Sequence, residues 1–159
     1  MEFPRIASAL VTCRKHIASL NDADAAVAVE IESHLVAAMT LLIVSEYEAF
    51  IEGAFCRRAE RCGDLHVTNY VRSQLSQRFR SPRIGKVSEA LGHFGKDYKE
   101  TFLMDVENTP KSAAWDNIIN ARHAIVHGSG TMNLTFRELE ESYNQTKTVI
   151  EKLLRTLGL

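Results

Sequence analysis

Arg122 and His127 close a stretch that reads Trp115-Asp-Asn-Ile-Ile-Asn-Ala-Arg-His-Ala-Ile-Val-His127-Gly128. An imidazole titrates in the physiological range and can take or give a proton, whereas a guanidinium stays charged and grips a phosphate through a planar fork of donors. Together they could supply what attack of a neighbouring hydroxyl on a phosphodiester requires: a base, an acid, and positive charge for the pentacoordinate phosphorus. On one ideal helix the two Cα atoms lie about 140° apart in azimuth and about 7.5 Å apart in rise, so a single helix makes a poor site. Two copies facing each other across a twofold axis would complete it, and a homodimer is expected on that ground.

Other readings of the same residues compete. Arg122 could bond a carbonyl or a carboxylate such as Glu46 or Glu48, and His127 could be an ordinary cation at a helix C-terminus, where positive charge is favourable. Glu46 is a candidate to orient the arginine, and Asn120 to bond near it. His123 and His127 have the spacing of a metal-binding pair, but Ala124 stands where a zinc hydrolase carries glutamate, and no third ligand is evident. Cys56, Cys62 and His66 read as ordinary residues at their spacing, so no metal is assigned. Gly128-Ser-Gly130 is too short for a phosphate-binding loop, no strand precedes it, and there is no Gly-x-Ser-x-Gly elbow. No cofactor is expected.

The elements that must position these residues read as helices. The 159 residues, 45% hydrophobic and 25% charged, suit one globular domain over 1–159, with no repeat, linker or low-complexity tract to divide it. Ile6, Leu10, Cys13, Ile17 and Leu20 mark one amphipathic helix that stops at Asn21-Asp22. A long second helix runs from about Ala25 to Arg61, with Gly63 as its stop. Residues 68–80 and 82–94 read as shorter helices, the latter with Ser81 as cap and Pro82 at its first position. Residues 95–108 are ambiguous, with Tyr98, Phe102 and Leu103 suggesting a helical turn. Thr109-Pro110 opens the helix that ends at His127, and Thr135 with Glu138 forms a capping box for the last one. An all-α bundle of five to seven helices is expected.

A net charge of -1 gives no global attraction to a polyanion. A run of cations from Arg57 to Lys86 could still form a local patch, and Arg72, Arg78, Arg80 and Arg83 are its candidates for RNA contact. Three cysteines, Cys13, Cys56 and Cys62, are too few for a disulfide framework and favour a reducing compartment. The start lacks the pattern of a signal peptide, and the apolar run Leu35 to Val44 is too short to span a bilayer, so a cytoplasmic protein without membrane contact is expected.

The arginine, polar residue, three apolar residues and histidine at a glycine-ended helix late in a short helical chain resemble the R-x4-H signature of HEPN domains. Trp115, Asn120, the His-Gly that closes the motif, the apolar helix ending in Glu46 and Glu48, and the closing amphipathic helix are similar to the RiboL-PSP-associated branch, over nearly the whole chain. The resemblance implies a helical bundle that dimerises with its two motifs on either side of one cleft. It implies metal-independent endoribonuclease activity in many members, often as toxins of toxin-antitoxin or antiviral systems, and non-catalytic RNA-binding or protein-interaction modules in others. Arg122 and His127 match the motif positions, and His123 falls where the family most often has asparagine. The expected partners are RNA, a second copy, and an antitoxin or other regulatory protein. Ser129 stands where some members carry a tyrosine that accepts a nucleotide from the antitoxin, so regulation of that kind is not expected. A helical dimer that acts without RNA is a third class.

Overall fold

A computed structural model describes residues 2–21, 24–128 and 134–159, with backbone alone at 76–78. Among the described residues the chain forms seven helices and no strand: α1 (Pro4–Ala18), α2 (Ala25–Glu60), α3 (Leu65–Arg78), α4 (Ile84–Phe94), α5 (Lys96–Val106), α6 (Pro110–His127) and α7 (Phe136–Leu157). The segment that sequence reading left ambiguous is thus helical. Asp22 of the expected turn, and Ser129 and Gly130 beyond the motif, lie outside the described residues.

Helix ends follow local chemistry. Asp24 and Asp64 each accept two backbone N–H groups at the starts of α2 and α3, and the Thr135 and Glu138 side chains satisfy each other's backbone at the start of α7. The cap on Asp64 begins α3 three residues before the expected residue 68. α4, by contrast, starts later than Ser81 and Pro82 predict. Ser81 adopts φ 57°, its N–H donates to Glu48 Oε1 at 2.6 Å, and its carbonyl accepts from Arg83, so the chain makes a turn before the helix begins at Ile84. Tertiary contacts outcompete the cap that the sequence offers there.

α2 is the spine. α1, α3, α6 and α7 all pack against it, and its buried residues, Val36, Met39, Ile43, Tyr47, Ile51 and Phe55 among them, form the centre of the core. Its apolar stretch is longer than sequence reading gave: by length and hydropathy this helix could cross a membrane. Tyr47 stacks on Trp115 with ring centroids 4.6 Å apart, and its buried hydroxyl donates to Thr146, whose own hydroxyl donates to the Tyr143 carbonyl. Burial pushes the Tyr47 phenol well above its ordinary range. Surface ion pairs such as Arg14 with Glu140 and Lys152 with Asp105 add up to about 1 kcal/mol each.

These contacts fix the directions of the helices. Phe136 donates its N–H to Glu32, Thr146 meets Tyr47, and Arg61 reaches the Gly158 carbonyl, so α7 runs parallel to α2. α6, which precedes α7 and packs most extensively against it, runs the other way, with Trp115 opposite Tyr47. From Trp115 to His127 the helix covers about 18 Å. His127 therefore lies level with the first half of α2.

Candidate active site

Thr109 caps α6 in a mutual box with Ser112, and Pro110 sits at its first position, where its missing N–H costs nothing. Ala114, Trp115, Ile118 and Ile119 bury one face, which sets the rotation of the helix. Arg122 and His123 consequently emerge half-buried, while Asn120 and His127 are exposed. Gly128 ends the helix with φ 61°, a conformation that a side chain would strain.

A second element reaches this helix end. The Trp115 indole N–H donates to the Pro82 carbonyl at 2.7 Å, and Glu48 holds the Ser81 N–H from the α2 side, so the segment before α4 is clamped from two helices. Arg83, next along the chain, donates to Asn120 Oδ1 at 2.8 Å. Lys86 donates to the Arg80 carbonyl at 3.2 Å. These acceptors are neutral, and neither cation has a carboxylate partner among the described residues. Among the described residues Arg122 has neither a hydrogen bond nor an ion pair, and His127 makes only its ring contact with His123, centroids 5.9 Å apart and nearly parallel.

His123 sits inside this cationic field. Its pKa lies below the ordinary 6.5, first through partial loss of hydration and then through the charges of Arg83, Arg122, His127 and Lys86. The folded chain thus prefers the neutral imidazole, whereas the unfolded chain takes up a proton at the ordinary value. Stability is complete above about pH 6.5 and is lost as pH falls through the lower folded pKa. The His123→Asn variant should lose less stability between pH 7.5 and pH 5 in denaturant titrations. A His123 resonance that titrates at or above 6.5 would refute the assignment.

The sequence candidates divide. Arg122, His123, His127, Asn120 and Arg83 come together at one end of α6, with Lys86, which sequence reading counted in the basic run without assigning it to the site. Glu46 does not contact Arg122; it pairs with Arg5 of α1 at 2.5 Å. Glu48 is committed to Ser81. The run Arg57 to Lys86 is not one patch: Arg58 donates to the Tyr98 hydroxyl, Arg61 to the Gly158 carbonyl, and Arg72 pairs with Glu60. Arg80 is exposed beside Ser81, and the side chain of Arg78 lies outside the described residues. No three His, Cys, Asp or Glu side chains among the described residues could together hold a metal ion.

The model of the RiboL-PSP-HEPN family matches residues 6–158. No curated protein and no solved structure matches the chain significantly. The family match covers all seven helices from Ile6 of α1 to the end of α7, and with it the helix end that carries Arg122 and His127. The chain belongs to the RiboL-PSP-HEPN family.

Proposed function

We propose that this protein is an endoribonuclease that cleaves RNA without a metal ion, by attack of the ribose 2'-hydroxyl on the adjacent phosphate. The observation that carries the reading is the cluster of Arg83, Lys86 and Arg122, none with a carboxylate partner among the described residues, beside His123 and an exposed His127. Arg122 is suited to the charge that develops on the phosphate oxygens. His127 is suited to proton transfer, as base toward the 2'-hydroxyl or as acid toward the leaving 5'-oxygen. Arg83 and Lys86 would hold neighbouring phosphates of the strand.

One copy supplies one imidazole from the motif's end, and both proton transfers need a group. A second copy, facing the first, would bring another Arg122 and His127 into one cleft. Level with the motif, the first half of α2 exposes Val27, Ile31 and Leu41 along one face, and α6 exposes Val126, at 36 to 50% of their full areas. Apolar exposure of this kind at the rim of a polar site favours a partner, and the second copy is the one that completes the chemistry.

The purified protein should cut total RNA in the presence of EDTA, leaving 2',3'-cyclic phosphate and 5'-hydroxyl ends, and should sediment as a dimer at the concentration at which it is active. A strict requirement for a divalent ion, or activity from a species that remains monomeric, would overturn the reading. The second reading, an RNA-binding module without catalysis, is favoured by the same cluster if RNA is bound and left whole.

A further inference from the structure

A groove of about 730 Å³ opens between the end of α2, α3 and α4, and α6 contributes none of its walls. Ala59, Leu75 and Ala90 form apolar, buried parts of its lining, and the Phe94 ring forms another. Tyr70, 66% exposed, stands on the α3 side. A volume of this size, mostly apolar with a few polar groups, is that of a site for a small organic molecule.

The polar groups give that molecule a sign. Arg58 and Arg61 both line the groove, and their acceptors, the Tyr98 hydroxyl and the Gly158 carbonyl, are neutral, each at 2.6 Å. Arg58 Nε is buried without an acceptor among the described residues. No carboxylate pairs with either arginine there. Two full charges thus border a cavity whose other described walls are mostly apolar or aromatic, with Cys62, Gln74 and His93 as the polar exceptions, an arrangement that is stabilised by an anion with a hydrophobic body.

We propose that this groove binds a small organic anion with a flat ring system, its ring against Phe94 and Tyr70 and its anionic group on Arg58 and Arg61. A nucleotide phosphate and an aromatic carboxylate share that chemistry. The site is separate from the Arg122 and His127 cluster, although α4 serves both: Lys86 of its first turns lies at the cluster, and Ala90, His93 and Phe94 of its last line the groove.

Cys62 is exposed and lines the groove, whereas Cys13 and Cys56 are buried, so alkylation of the intact chain by iodoacetamide reports on occupancy. Adenosine monophosphate and indole-3-acetate form the two arms, with adenosine and indole as their neutral counterparts. At least one anion should slow Cys62 alkylation saturably, and its neutral counterpart should require about tenfold more. Arg61→Ala should weaken the protection about tenfold. Tyr70→Ala, an exposed position that carries no fold, should weaken it severalfold, and His127→Ala should leave it unchanged. The proposal falls if neither anion protects at millimolar concentration, if the neutral compounds protect equally, or if both Arg61→Ala and Tyr70→Ala bind as wild type does.

Discussion

His127→Ala should lower the rate of RNA cleavage by about 10² to 10⁴, the range that a positioned proton-transfer group supplies. The imidazole is exposed, and its one neighbour among the described residues is the His123 ring, so the variant should stay within about 0.5 kcal/mol of wild-type stability. Arg122→Ala should cost about 10² to 10³ in rate through loss of charge at the phosphate. Arg83→Ala and Lys86→Ala should act differently: each removes a phosphate contact, so RNA affinity falls and its salt dependence flattens by roughly one ion per residue. Single-turnover cleavage in EDTA, beside equilibrium binding at several salt concentrations, separates the two classes. Should His127→Ala cleave within threefold of wild type while folded, the imidazole is not the proton-transfer group.

Trp115→Ala should be the most damaging core change near the site. It removes a side chain 1% exposed, stacked on Tyr47, together with the donor to the Pro82 carbonyl. The cost should be about 3 to 5 kcal/mol, and the midpoint of thermal unfolding should fall by roughly 6 to 20 °C. Trp115→Phe keeps most of the packing and loses the hydrogen bond, so it should cost less than the alanine change. It should nevertheless impair activity, because the segment that carries Arg83 and leads into Lys86 then loses one of the two bonds that clamp it just before α4. Thermal unfolding and RNA affinity measured on the two variants test the clamp. If Trp115→Phe binds and cleaves as wild type does, the indole serves only the core.

Much of this arrangement was legible in the sequence, and the reasons are local. Glu138 three residues after Thr135, and Pro110 after Thr109, mark helix starts because the bonds they make lie within one turn. The apolar spacing of α7 survives because one face of that helix is buried along its length, through Leu139, Tyr143, Ile150 and Leu153. The family was legible because the R-x4-H stretch stands among similar surroundings along nearly the whole chain, and the family model matches residues 6–158. What was not legible depends on partners distant in the chain. Ser81 and Pro82 form a good helix start by composition, but Glu48 and Trp115, each 33 positions from its acceptor or donor, pull the segment into a turn. The basic run likewise looked continuous, yet Arg58, Arg61 and Arg72 turn to Tyr98, Gly158 and Glu60 while Arg83 turns to Asn120. Glu46 offered a partner for Arg122 by type alone, and Arg5 of another helix took it.

The position of α7 has a consequence for biosynthesis. Seven of its side chains, from Leu139 to Leu157, fill the interior alongside α2, and Thr146 receives the buried Tyr47 hydroxyl. A ribosome therefore finishes the other six helices before the residues that close the interior exist. A nascent chain halted before α7 carries Arg122 and His127 on an unfinished scaffold, so the cleavage proposed above would not begin beside the messenger until α7 itself has been made.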